Sequence, residues 1–407
     1  MGKCNLSIFG CEKSVKYNRN IPLLMIHAFL SGCWFFIPIL YIFLKEKGFS
    51  FTEIGLIASC KIGSKFFLEI PAGLFSDRFG PKKALIVSAL AFGVSFFMVG
   101  ASDSFFLMII ASLFNGIGQS FLSSSDSTIV YETLSQQGNK EHFSYVMGKK
   151  NSLNFLGFSL SAFGASLIIP YGLQWTFYVS SIFLLTSTVI LFFLTEVKAR
   201  SKDFNTLHHL IGSFQFIREN LNLRTILFYI VFFDIAIQLF FHYQQFLFKE
   251  IGVEDKYLGY VYGVAVLFSL AASKYSHLLK KRYTTPILLL GLALLMGLAL
   301  LGAGFSKMIL FTVLGIIIFQ MSLGFSKTLL IDIFQSLNHS DKRATIFACK
   351  KSLYSLIFLI CTPIYGMIAD IYGIRMAISA LILFVILNLV LLFSSSKQQK
   401  VAPSQLS

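Results

Sequence analysis

Apolar runs, each about long enough to cross a bilayer, recur along this 407-residue chain and leave little over for a soluble domain. They lie near 21–44, 51–75, 84–100, 105–131, 144–169 and 172–194, then near 223–247, 257–278, 286–304, 308–333, 345–369 and 373–394. Most approach the roughly 20 residues that an α-helix needs to traverse the hydrocarbon core. Strands of a membrane barrel would be shorter and would alternate in polarity, and these runs do neither. The expected fold is an all-α membrane protein: twelve transmembrane helices in two pseudo-symmetric six-helix bundles. The chain is 56% hydrophobic and 13% charged, with a mean hydropathy of +0.74. That is more apolar surface than a soluble fold of this size hides, so lipid is a partner.

The formal charge of +15 would suit nucleic acid, but no basic cluster sits on a polar domain able to dock a duplex. Its distribution suits a membrane. With both termini in the cytoplasm, cytoplasmic segments hold twenty Lys and Arg and outer segments six: Lys45, Lys47, Lys249, Lys256, Lys307 and Arg375. That is the bias of a multi-pass inner-membrane protein. The first apolar run is too long for a signal-peptide core and reads as an uncleaved span. The six cysteines are scattered without metal-ligand spacing, so reduced thiols are expected, with no metal and no cofactor.

The two halves echo each other. Lys45-Glu46-x-Gly48 with Gly55 recurs as Lys249-Glu250-x-Gly252 with Gly259, at an offset of 204. Lys149-Lys150 recurs as Lys350-Lys351 and Tyr171-Gly172 as Tyr372-Gly373, at an offset of 201. Such repeats imply bundles related by a pseudo-two-fold axis along the membrane normal. The expected organisation is a cytoplasmic tail over 1–20, bundles over 21–194 and 223–394, a linker over 195–222 and a cytoplasmic tail over 395–407. Within the linker, Leu207 to Leu221 suits a short amphipathic surface helix.

Between the second and third runs lies Gly73-Leu-Phe-Ser-Asp77-Arg78-Phe-Gly80-Pro-Lys82-Lys83, a basic turn of the form G-x-x-x-D-R-x-G-x-K-K. Gly80 permits a tight turn. The acid suits a neighbouring helix N-terminus, and the basic residues hold the loop in the cytoplasm. The pattern resembles the signature loop of major facilitator superfamily (MFS) transporters, and the likeness extends from 21 to about 395. Glu69-Ile-Pro71-Ala-Gly73 resembles a bacterial subgroup with E-x-P-x-G before that loop, as does Tyr131-Glu132-Thr-Leu134. The resemblance implies secondary transport by alternating access, as symporter or antiporter, in the bacterial inner membrane. It also implies a conformational latch formed by Gly73, Asp77, Arg78, Gly80, Lys82, Lys83 and Glu132. Two departures argue against proton-coupled drug export. Ser112 stands where drug/proton antiporters carry an arginine ahead of Gly116-Ile-Gly118, and Gly157 and Gly164 are separated where they carry a Gly-Pro-x-x-Gly-Gly run.

Eight lysines fall inside spans: Lys61, Lys65, Lys149, Lys150, Lys274, Lys327, Lys350 and Lys351. Charge at that depth is costly unless it meets water, a partner or a substrate. The acids on hand are Glu69, Asp126, Asp234 and Asp332, with Glu132 near a span end, so a positive excess remains. That excess favours an anionic substrate. Lys61, Lys65 and Glu69 share one helix face, where the lysines either line a cavity or pair internally. The 201 offset sets Asp126 in register with Lys327, which suggests a pair across the cavity. Substrate contacts are expected from Lys61, Lys65, Asp126, Lys327, Gln244 and Gln245. Asp234, Glu69 and His27 are the proton-coupling candidates; Asp234 reads equally as an ion-pair member and His27 as a buried hydrogen-bonding residue. The leading function is transport of a small organic solute, anionic in character, by a monomer. Multidrug efflux is the alternative, and a membrane-embedded lipid-modifying enzyme is the alternative of another class, although no paired carboxylates, metal spacing or nucleophile motif supports an enzyme.

Overall fold

The computed structural model describes residues 19–197, 221–305, 308–336 and 343–401. The expected tails and the linker with its amphipathic stretch fall largely outside the described residues. The first half contains α1 (Asn20–Gly32), α2 (Leu40–Glu46), α3 (Phe51–Phe79), α4 (Pro81–Ala101), α5 (Phe105–Gln136), α6 (Phe143–Ile168) and α7 (Gln174–Phe192). The second contains α8 (Leu221–Glu250), α9 (Asp255–Arg282), α10 (Thr285–Leu300, continued by a π-turn over Leu301–Phe305), α11 (Ile309–Ser336), α12 (Arg343–Tyr372), α13 (Ile374–Ala380) and α14 (Ile382–Val401). Among the described residues there is no strand.

Among the described residues, ten helical segments are long and apolar enough to cross a membrane. Two of the twelve expected crossings fall short for physical reasons. The first apolar run is not one helix: α1 stops at Gly32 and α2 starts at Leu40. Backbone freed by this break is bonded elsewhere, Phe35 N–H donating to Ser180 Oγ at 2.9 Å. The second, α3, has 29 residues but is interrupted by Lys61, Lys65 and Glu69.

The sequence repeat is a structural repeat. Gly48 and Gly252 take φ of 91° and 87°, and Gly172 and Gly373 take 122° and 85°, conformations that a side chain would strain. Gly55 of α3 packs against Thr362 and Pro363 of α12, where a Cβ would sit 2.6 Å from the Thr362 carbonyl. Its repeat-mate Gly259 of α9 packs against Ala162 and Ser166 of α6. The two halves therefore meet along two equivalent seams, α3 with α12 and α6 with α9.

Both seams are tight at one end only. On α3 the stripe Gly55, Ser59, Gly63 faces α12, but Phe67, Ile70 and Leu74 on the same stripe are 72%, 58% and 65% exposed. On α9, Gly259 and Gly263 are covered by α6, whereas Leu267 and Leu270 are about half exposed at 53% and 50%. The halves are joined at the end bearing the loops after α2 and α6, here the distal end. They part toward the end bearing the α3–α4 turn, here the proximal end.

Polar chemistry seals the distal end. Pro363 has no N–H for the carbonyl four residues back, Leu359, and that orphan accepts from Ser59 Oγ at 2.7 Å across the seam. The first amides of α3 are capped twice. Ser50 Oγ accepts from Glu53 N–H at 3.1 Å, and the Asp370 carboxylate of α12 accepts from Phe51 N–H and Thr52 N–H at 2.8 Å and from Thr52 Oγ1 at 2.7 Å. A carboxylate at a helix N-terminus is favourable, and here it joins the halves. Asp370→Ala removes three hydrogen bonds, each worth roughly 1 kcal/mol. With spin labels at Ser104 and Lys256, one on each half, the variant should shift the distal distance distribution toward longer values at least fivefold in population. An unchanged distribution would remove Asp370 from the seal.

Candidate functional site

Between the halves lies a cavity of about 840 Å³. Its first-half wall comes from the α1–α2 break, α3, α5 and α6, and its second-half wall from α8, α9, α11 and α12. Most of the surface is aromatic and aliphatic, with Trp34, Tyr41, Phe241, Tyr262, Tyr354 and Phe358 prominent. Among the described residues, the charged ones on it are Lys61, Lys65 and Lys327, and no Asp or Glu lines it.

The intramembrane acids are engaged elsewhere. Asp126 of α5 pairs with Lys150 of α6, a buried contact within one half. Asp234 of α8 pairs with Lys350 of α12 at 2.8 Å, within the other half. Glu69 of α3 faces Lys351 of α12 at 3.6 Å, between the halves, and Asp332 pairs with Lys280 at 2.8 Å. Lys61, Lys65 and Lys327 form no ion pair among the described residues.

The pairing expected between Asp126 and Lys327 is therefore corrected. Repeat register places residues at equal depth but does not bring them together, and Lys150 on the adjacent helix satisfies Asp126 first. Asp126 is also absent from the cavity lining. His27 lies outside the large cavity, 2% exposed, sharing a 2.5 Å hydrogen bond between Nδ1 and Ser187 Oγ. It borders a smaller cavity of about 200 Å³ with Ser31 and Asn154. Gln245 does line the large cavity, but its amide is occupied: Nε2 donates to the Ile37 carbonyl at 2.7 Å and Oε1 accepts from Tyr41 N–H at 3.0 Å. Gln244 is fully buried behind it and accepts from Gln320 Nε2 at 3.4 Å.

The signature loop turns as its glycine requires, with Gly80 at φ 97° and Pro81 opening α4. Lys82 is drawn to the end of α7, its N–H donating to Glu196 Oε1 at 3.1 Å and its Nζ to the Phe192 carbonyl at 2.8 Å. Asp77, Arg78, Lys83 and Glu132 make no ion pair among the described residues. Gly73 has no neighbour within contact range of a Cβ while the proximal end is parted.

Several lining residues escaped the sequence reading. Asn115 and Gln119 of α5 lie one turn apart, with Gln119 Nε2 donating to Asn115 Oδ1 at 3.0 Å. Gln320 precedes Lys327 by seven residues, two turns along one face of α11. Amides at helical spacing within apolar runs were the available signal. The uncharged Gln238, in the same run as Asp234, was hidden beside it.

A helical membrane protein of two repeat-related bundles enclosing a central cavity is the architecture of a carrier. The chain belongs to the Major Facilitator Superfamily, whose sequence model matches residues 23–349. It is 28% identical over 166 residues to an uncharacterized MFS-type transporter of Methanocaldococcus jannaschii, covering 40% of this chain and 42% of the relative. It is 22% identical over 152 residues to the quinolone resistance protein NorA of Staphylococcus aureus, covering 37% and 39%. The chain thus spans about two-fifths of the length of the curated relatives it matches. Among solved structures, the nucleoside transporter NupG superposes with a TM-score of 0.72 at 17% identity, over 93% of this chain and 98% of that one. A bacterial homolog of the lysosomal transporter Spinster, in an inward-facing and unoccupied conformation, gives 0.71 at 12% identity, over 95% and 98%. These neighbours share the fold, and the family is one of transporters.

If Asp126 and Lys150 form a structural pair, Lys150→Ala strands a carboxylate at membrane depth. The purified protein should lose roughly 3 kcal/mol of stability, the usual cost of breaking such a pair. Thermal unfolding in detergent should show a clear drop in midpoint, and Asp126→Asn with Lys150→Met should recover most of it. A midpoint that does not move for Lys150→Ala would mean that the pair contributes nothing to the fold.

Proposed function

We propose that this superfamily member is a secondary transporter that moves a small organic anion across the bacterial inner membrane by alternating access. One observation carries the reading: among the described residues, three lysines line the central cavity and no carboxylate does. An anion entering it meets cations that form no ion pair among the described residues, whereas a cation meets repulsion. The apolar remainder of the surface suits an organic body rather than a bare inorganic ion.

The excess of Lys and Arg on proximal segments supports a cytoplasmic proximal end, so that the parted end faces the cytoplasm. The signature loop then works as a latch for the opposite state. Asp77 and Arg78 of α3 and Glu132 of α5, all in the first half, make no ion pair here, and the latch acts when the proximal end closes. Asp234 is the foremost site for proton coupling. Its protonation would release Lys350, and Lys327 lies within electrostatic range of the same carboxylate. Glu69, bridged to Lys351 between the halves, is the second. A second reading, efflux of several aromatic compounds, draws support from the aromatic walls and from the relative named for quinolone resistance.

The test is uptake and efflux of a metabolite panel in proteoliposomes, with and without an imposed proton gradient. Anionic members should be moved in preference to neutral and cationic ones. Lys61→Ala and Lys65→Ala should each weaken binding by ~1–3 kcal/mol, the range for a lost hydrogen bond to a charged group. A transported cation with unaltered affinity in both variants would sink the anion reading. Asp77→Asn should slow transport without lowering the amount of inserted protein; a wild-type rate would deny the loop its latch role.

A further inference from the structure

The cavity's three lysines are not one cluster but two poles. Lys61 and Lys65 stand one turn apart on α3, in the first half, beside Asn115 and Gln119 of α5. Lys327 stands on α11, in the second half, two turns from Gln320. The first pole thus combines cations with amides and the second offers a cation, donors suited to carboxylate or phosphate oxygens. Neither pole forms an ion pair among the described residues: Glu69 faces Lys351, Asp234 holds Lys350, and Asp126 holds Lys150. The lining between them is mainly apolar.

We propose that the substrate is an organic dianion, two anionic groups separated by an apolar body, with one group held at Lys61 and Lys65 and the other at Lys327. The inference rests on the anion reading above and sharpens it. A monoanion seated on one wall leaves the opposite lysine unpaired when the cavity closes and water leaves, a costly state at that depth. A dianion neutralises both walls together. It also ties the first half to the second through a single molecule, so that closure of the bundles follows from binding rather than opposing it.

The experiment uses the purified full-length protein in lipid nanodiscs, with binding read by equilibrium dialysis against protein-free nanodiscs. Three matched probe pairs vary the spacing of the anionic groups: terephthalate and benzoate, naphthalene-2,6-dicarboxylate and 2-naphthoate, biphenyl-4,4′-dicarboxylate and biphenyl-4-carboxylate. At least one dicarboxylate should bind tenfold or more tightly than its monocarboxylate. Lys327→Ala should erase that preference, and a wild-type thermal unfolding midpoint for the variant shows that it is folded. Equal affinity within all three pairs overturns the dianion and leaves the anion reading standing. A preference that survives Lys327→Ala overturns the second pole. Binding of the neutral diamide terephthalamide with no binding of any carboxylate overturns both readings, and the arms of the experiment therefore separate the two failures.

Discussion

Electrostatics inside hydrocarbon is the constraint on which the rest of this structure depends. A charge at membrane depth must be matched or wetted, and the chain answers in two ways. Away from the cavity, adjacent helices supply the partner, as Lys150 does for Asp126 and Lys350 for Asp234. Where the central cavity provides water, lysines stand without one. Lys61, Lys65 and Lys327 line the cavity, whereas Lys149 and Lys274, which also form no ion pair among the described residues, do not. The negative cargo proposed above would complete interactions that the cavity lysines leave open.

The division between legible and illegible features follows from what a linear pattern encodes. Span positions were readable because hydropathy is local, and the helix ends mostly fall within a few residues of the apolar runs. The repeat was readable because positive-φ glycines at the helix junctions, such as Gly48 and Gly252, have no substitute residue. The break over residues 33–39 was masked, since its residues are as apolar as the helices beside it, although Gly32 and Pro38 mark it. Pairing was the least legible. Register suggested Lys327 for Asp126, but a sequence offset measures depth along a helix and not rotation about it, and rotation decides which neighbour is met. The three cavity lysines were recoverable as members of a set of eight; which of the eight remain unpaired required the packing.

The seal at the distal end shows how a membrane protein turns a backbone defect into an adhesive. Pro363 and the N-terminus of α3 each leave backbone groups without helical partners, a penalty in lipid. Both are placed at the seam, where Ser59 and Asp370 bond them from the opposite half. Such bonds are strong where water is excluded and easily exchanged for water once the seam opens. They suit a contact that must form and dissolve in every cycle better than interlocked apolar side chains would.

The interrupted first span has a mechanical consequence. A continuous helix transmits displacement from one end to the other like a rod, whereas the stretch between Gly32 and Leu40 is a joint. Beyond the joint, α2 is gripped from the second half by Gln245, which bonds Ile37 and Tyr41, and by Lys249, which reaches Glu46 at 2.7 Å. Before it, α1 is fastened to the first half, with Asn154 donating to the Ala28 carbonyl at 2.9 Å. The joint therefore lets α1 travel with the first half while α2 stays with the second.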